Sequence, residues 1–154
     1  MVLVIGYGNP GRSDDGLGPA FAKRIAARAL PGVTVKSAFQ LTVEDALAVS
    51  TSDVVVFADA DISGKAPYSF TEVSADMPDY LDSHNVSPRS VMTLAEQLFG
   101  STARGFVLGI AGNEFGKIHE DLSPIACAHL DQAESFFLEW LSRLPDRSRV
   151  LEGQ

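Results

Sequence analysis

The sequence predicts an α/β fold: a mostly parallel, twisted sheet of about five strands with helices on both faces, in a single three-layer domain covering residues 1–154. Unbroken apolar runs at residues 2–5 and 54–58 are typical of strands buried on both faces. Between such runs, apolar residues recur at three- and four-residue steps, which is typical of helices that pack one face against a sheet. This alternation favours parallel strands joined by crossover helices.

The first half of the chain is predicted to form three strands and two helices. In chain order they occupy residues 2–5, 17–30, 32–38, 42–49 and 54–58. The first helix presents one apolar face, because Leu17, Phe21 and Ile25 recur at four-residue steps. In the second helix, Thr42 is the predicted N-cap and Asp45 completes a capping box.

The second half is predicted to add two strands and two helices. In chain order they occupy residues 68–73, 88–98, 104–110 and 124–141. The strand at residues 68–73 alternates polar and apolar side chains, which is typical of a half-exposed edge strand. Ser87 and Ser123 are predicted N-caps, because each precedes a proline at the first helical position. Residues 145–154 are expected to fray.

The composition excludes several classes of function. A formal net charge of −8 argues against nucleic-acid and anionic-membrane partners, which need a basic face. No apolar run approaches the roughly 20 residues that span a bilayer. We therefore expect a cytoplasmic protein; a monomer is also expected. The lone cysteine, Cys127, has apolar neighbours and is predicted to be a small buried hydrophobe rather than a nucleophile.

The loop after the first strand contains Gly6-x-Gly8-x-x-Gly11, the pattern of a dinucleotide-binding turn. Two acidic residues, Asp14 and Asp15, follow it where the pyrophosphate would have to lie. The second predicted strand also lacks the acidic residue that would bind a ribose. These residues favour a cation over a nucleotide, although either acid taken singly could instead stabilise the start of the helix.

Three polar residues are predicted to converge at one edge of the sheet. Asp15 follows the first strand, Asp59 ends the third strand, and His84 precedes a helix. Two carboxylates and one imidazole would leave open positions on a divalent metal such as nickel, zinc or manganese. In isolation, Asp59 could cap a turn and His84 could be an ordinary surface or core histidine, and Asp14 rivals Asp15.

Four short motifs occur in a fixed order along almost the whole chain: Gly6-x-Gly8-Asn9, Asp14-Asp15-Gly16-x-Gly18, Ala58-Asp59-Ala60 and His84-Asn85-Val86-Ser87-Pro88. Together they resemble the signature of the nickel-iron hydrogenase maturation endopeptidases. The resemblance implies a cytoplasmic protease that removes a C-terminal extension from the hydrogenase large-subunit precursor after nickel insertion. It also implies that Asp15, Asp59 and His84 are both the metal ligands and the catalytic residues. The implied cofactor is nickel, which can be the substrate's own, with zinc or cadmium as substitutes.

The chain departs from this family at two places. After Gly109-Ile110 many members have Pro and Glu, whereas this chain has Gly112 and Asn113, with Glu114 one step later. The first-loop ligand is often Glu, and Asp15 is shorter by one methylene, which can shift the metal geometry or preference.

Metal-assisted hydrolysis is the predicted mechanism, because no Gly-x-Ser-x-Gly elbow occurs and Cys127 lies in an apolar segment. A metal on the three predicted ligands would polarise the scissile carbonyl or lower the pKa of a bound water towards about 7. One alternative is a noncatalytic, nickel-dependent chaperone of the large subunit. Another is peptidyl-tRNA hydrolase, whose opening motif is similar to residues 6–11. That family continues with Thr-Arg-His-Asn, which residues 13–16 do not provide, and the acidic charge conflicts with tRNA.

Overall fold

Five strands form one sheet, as predicted. They are β1 (Val2–Tyr7), β2 (Val33–Ala38), β3 (Val54–Asp61), β4 (Tyr68–Glu72) and β5 (Arg104–Ala111). In this computed structural model, which describes residues 1–63, 65–73, 86–116 and 118–145, the strand order is β2-β1-β3-β5-β4. All neighbouring strands are parallel except β4, which pairs antiparallel with β5 at the edge. The predicted mostly parallel sheet is therefore confirmed.

Helices cover both faces of the sheet. They are α1 (Leu17–Ala27), α2 (Asp45–Ser50), α3 (Pro88–Phe99) and α4 (Pro124–Ser142). On one face, α1 and α4 pack on side chains such as Val4, and Phe21 meets Phe137 edge-on at 5.4 Å between ring centroids. On the other face, α2 and α3 pack on side chains such as Ile5. Consecutive residues of β1 are thus buried on opposite faces, which explains the unbroken apolar run.

Two strands extend further than the sequence predicts. The structure continues β1 to Tyr7 and β3 to Asp61, whereas the apolar runs end at residues 5 and 58. The reason is pairing: Asp59 lies opposite Gly109 in the β3–β5 ladder, so the ladder continues after the apolar side chains stop. Asp59 is consequently held by the sheet itself.

Two predicted helix caps are confirmed and one is wrong. The Ser87 hydroxyl accepts a hydrogen bond from the Ser90 N–H at 3.1 Å, and the Ser123 hydroxyl accepts one from Ala126 at 3.2 Å. Thr42 is not an N-cap, because α2 begins at Asp45. The Asp45 carboxylate still accepts from the Thr42 N–H at 2.8 Å, so only the second half of the predicted capping box forms.

The prediction that Cys127 is buried is wrong, because its side chain is exposed. The buried face of α4 consists of Ala126, Leu130, Ala133, Phe137 and Leu141. A cysteine one step after Ala126 turns away from the sheet, since successive helical residues differ by about 100°. None of the helices in the described ranges has the length and apolar character needed to cross a membrane.

Candidate functional site

Asp15 and Asp59 lie together at the carboxyl-terminal edge of the sheet. Asp15 belongs to a short 3-10 helix, Ser13–Gly16, that follows β1, and Asp59 lies in β3, which pairs with β1. Both line one pocket of about 420 Å³, here called the acid pocket. Its other lining residues come from the ends of β1 and β2 and from the start of α3: Tyr7, Gly8, Phe39, Gln40, Leu41, Val86, Ser87 and Pro88.

The third predicted site residue, His84, lies outside the described residues. The segment that follows it in the chain, residues 86–88, lines the acid pocket and leads into α3. The structure therefore brings together two of the three predicted residues. The role of His84 as a ligand stays a prediction.

The carboxyl of Asp59 is strongly perturbed. Burial and, to a smaller extent, the negative charges of Asp15 and Asp61 raise its pKa, which lies at about 7 once all of its contacts act together. Hydrogen bonds from the Ala60 N–H, at 2.8 Å, and from Tyr7 oppose this rise without cancelling it. Without a cation, Asp59 is therefore partly protonated near neutral pH. A bound cation would relieve the repulsion between Asp59 and Asp15. Carboxylates that are buried close to another negative charge are common in functional sites.

Tyr7 is a site residue that sequence reasoning missed. It is the last residue of β1, lines the acid pocket, and donates its hydroxyl proton in a hydrogen bond to Asp59. Burial, together with the neighbouring Asp59 charge, holds the pKa of the Tyr7 hydroxyl far above its ordinary value, so this group stays protonated and donating. The sequence signal that could have identified Tyr7 is a tyrosine between two glycines. It was missed because the apolar run placed the end of the strand two residues before Tyr7.

We expect opposite changes in the pKa of Asp59 from two substitutions that border it. Tyr7→Phe should raise this pKa above about 7, because it removes a hydrogen bond that favours the carboxylate. Asp15→Asn should lower the pKa, because it removes a facing negative charge. Carbon-detected NMR titration of the metal-free protein measures both values. Shifts of the same sign in the two variants would contradict this geometry.

Asp14 is built into the structure and is not open to a ligand. Its side chain is fully buried. One carboxylate oxygen accepts from the Ser123 N–H at 2.7 Å, and the other accepts from the N–H groups of Asn113 and Glu114 at 2.7 Å and from the Ser123 hydroxyl at 2.6 Å. Asp15 instead accepts a hydrogen bond from the Asn9 N–H at 2.9 Å and lines the acid pocket. The geometry favours Asp15 over Asp14 as the first-loop ligand.

The glycines of the first loop serve close backbone packing. A Cβ atom on Gly6 would lie 2.1 Å from the carbonyl oxygen of Gly18, which no side chain could tolerate. Gly8 has a φ of +145°, and a Cβ there would lie 2.1 Å from the carbonyl oxygen of Asp15. The first two glycines of the Gly-x-Gly-x-x-Gly pattern are thus explained by the close approach of β1 to the start of α1 and to the turn that carries Asp15.

The carboxylates of the acid pocket fit a divalent cation in part. Two oxygen donors that repel each other, in a pocket open to a further ligand, suit a hard or borderline metal. Among the residues that the structure describes, no group of three or more His, Cys, Asp or Glu side chains could hold a metal ion. A third ligand of the His, Cys, Asp or Glu type would have to come from outside those residues, where His84 lies.

At the level of sequence, no protein family model and no curated protein matches this chain. Among solved structures, the chain is similar to HycI, a nickel-iron hydrogenase maturation protease from Thermococcus kodakarensis, with 19% identity, a TM-score of 0.73 and coverage of 93% of both chains. It is also similar to the hydrogenase maturating endopeptidase HybD from E. coli, with 20% identity, a TM-score of 0.69 and coverage of 92% of both chains. A hydrogenase 2 maturation peptidase from Thaumarchaeota archaeon SCGC_AB-539-E09 gives 20% identity and a TM-score of 0.66, covering 92% of this chain and 97% of the other. The resemblance predicted from the motifs is confirmed at the level of the fold: the chain has the fold of the hydrogenase maturation proteases.

Proposed function

We propose that this chain is an endopeptidase that removes the C-terminal extension of a nickel-loaded hydrogenase large-subunit precursor. The observation that carries the proposal is the pair Asp15 and Asp59 in one open pocket at the sheet edge. The same fold occurs in HycI and HybD, which are maturation proteases. Fold alone does not define a reaction, so the carboxylate pair, together with the ordered motifs, supports the activity.

The chain's own residues would act on the substrate through Asp59 and its neighbours. Asp15, Asp59 and His84 would hold the nickel that the precursor brings, or zinc or cadmium in its place. A divalent metal bound there would polarise the scissile carbonyl or activate a water. Tyr7 orients the Asp59 carboxylate by its hydrogen bond, and the ionised carboxylate could bind the cation or accept a proton from an attacking water.

We expect the protein to release a C-terminal peptide from a nickel-loaded precursor and to leave the nickel-free precursor uncut. Mass spectrometry of the precursor after incubation measures both outcomes. Asp59→Asn should reduce cleavage by about 100-fold or more, because the amide keeps the shape of the side chain but supplies neither an anionic ligand nor a base. Nickel titration should show weaker binding in His84→Ala than in the wild type.

Asp53→Asn is the matched control for Asp59→Asn. Asp53 immediately precedes β3, at the opposite end of this strand from the acid pocket, and pairs with the amino group of Met1 on the surface. The Asp53→Asn protein should cleave the precursor as fast as the wild type does. If a verified nickel-loaded precursor binds but loses no peptide, the noncatalytic chaperone replaces the protease.

The expectation of a cytoplasmic monomer without a nucleic-acid or membrane partner stays a prediction.

A further inference from the structure

A second, smaller cavity lies beside the acid pocket. It has a volume of about 150 Å³ and is here called the side pocket. Its lining residues come from the loop after β1, the start of α1 and the end of β2: Gly8, Pro10, Pro19, Ser37, Ala38 and Phe39. Gly8 and Phe39 also line the acid pocket, so the two cavities share a wall.

We propose that the side pocket binds one aliphatic side chain of the substrate polypeptide, adjacent to the bond that lies at the acid pocket. This inference rests on the proposed function. Of the described residues, none that lines the side pocket is charged. A charged side chain would lose water there without gaining a partner, whereas an aliphatic one would gain from burial.

The size of the side pocket limits its occupant to a single side chain. A cavity of about 150 Å³ is large enough for a benzene molecule, so a leucine or valine side chain fits and a second residue does not. The pocket is also held in shape before binding. The Gly8 N–H donates to the Ala38 carbonyl at 3.0 Å, which ties the loop after β1 to the end of β2.

Because the other shared residue is Gly8, Phe39 provides the side chain in the wall that the two cavities share. Its side chain is 71% exposed, although a single exposed apolar residue would be ordinary by itself. Because the ring of Phe39 lines both cavities, a peptide that enters the acid pocket would cover this ring. Covering an exposed aromatic ring is favourable, and the contact would align the peptide with Asp15 and Asp59.

Peptide binding, measured by NMR, tests the side pocket without requiring cleavage. The probes are three blocked pentapeptides, acetyl-Gly-Gly-X-Gly-Gly-amide, in which X is Leu, Gly or Asp. We expect the Leu peptide to bind at least about tenfold more tightly than the Gly and Asp peptides. It should shift the amide resonances of Ala38 and Phe39 most. Equal binding of the three peptides, or Leu-peptide shifts confined to other parts of the protein, would overturn the proposal.

Two variants and a control sharpen this test. Ser37→Phe should fill the side pocket and abolish the preference for Leu, and because Ser37 is exposed, the larger side chain leaves the core intact. Phe39→Ala should weaken binding of the Leu peptide by removing the shared wall. Val43→Ala, which shortens another exposed apolar side chain that lines neither cavity, should bind like the wild type.

The proposed function and the side pocket can fail separately. If the Leu peptide binds as expected but a nickel-loaded precursor is never cut, the proposed protease activity is contradicted and the proposal for the side pocket is supported. If the precursor is cut equally fast by the wild type and Ser37→Phe, the protease stands and the side pocket is overturned.

Discussion

Asp14→Asn should lower the free energy of unfolding by about 3 kcal/mol or more, because it disrupts a buried carboxylate that accepts four hydrogen bonds. Asparagine keeps one acceptor oxygen but turns an NH₂ group towards the donors that face the other oxygen. At least one buried N–H or hydroxyl is then left without an acceptor, which is costly. Urea unfolding, followed by circular dichroism, measures the change.

The same substitution should remove part of the acid sensitivity of the fold. Burial acts to raise the pKa of Asp14, but hydrogen bonds from the Ser123 hydroxyl and from backbone N–H groups outweigh it, and the pKa lies below its ordinary value of 3.8. A carboxyl with a lowered folded-state pKa stabilises the fold above its unfolded pKa. This stabilisation is lost as the pH falls below about 4 towards the folded-state value. Asp14→Asn should therefore lose less stability than the wild type on acidification through this range.

Asp131→Asn is the control for these two measurements. Asp131 is an exposed acid whose side chain pairs with Arg24 on the surface. Exposed ion pairs contribute about 0–1 kcal/mol, so this variant should unfold close to the wild type. An Asp14→Asn protein as stable as Asp131→Asn would show that the buried hydrogen bonds do not form.

Much of the fold could be read from local pattern. Apolar runs, helical spacing and the two Ser-Pro pairs were sufficient to place five strands and four helices in the observed order. The errors concerned the ends of strands and the burial of one residue in a helix. The apolar signal of β3 ended before Asp59, although backbone pairing continued through it, and the apolar neighbours of Cys127 wrongly indicated that this side chain is buried.

The candidate site was less predictable because its decisive contacts are distant in sequence. Asp14 and Asp15 are neighbours with the same chemistry, and nothing local separates them. They differ because the partners of Asp14 lie about a hundred residues later, at Asn113, Glu114 and Ser123. Tyr7 likewise became a site residue only through its contact with Asp59 on an adjacent strand.

Gly18→Ala should destabilise the protein by about 3 kcal/mol, even though alanine is the better helix former by about 1 kcal/mol. A Cβ atom on Gly18 would lie 2.2 Å from the carbonyl oxygen of Tyr7 and 2.6 Å from that of Ala58. Both contacts are with backbone atoms, so the clash can be relieved only by moving α1 away from the sheet. Such a movement would uncover core side chains such as Phe21, which is fully buried.

The clash also reaches the candidate site, because Tyr7 and Ala58 immediately precede Gly8 and Asp59 in the chain. We therefore expect Gly18→Ala to shift the pKa of Asp59 away from about 7 under conditions where the variant is still folded. Gly100→Ala is the matched control, since a Cβ there meets no atom of the described residues within 4 Å and φ is +65°. It should cost only the strain of a left-handed residue, about 1 kcal/mol, and leave Asp59 unchanged. If Gly18→Ala were at least as stable as the wild type, helix propensity would outweigh packing, and α1 would not be held against β1 and β3 as closely as these distances require.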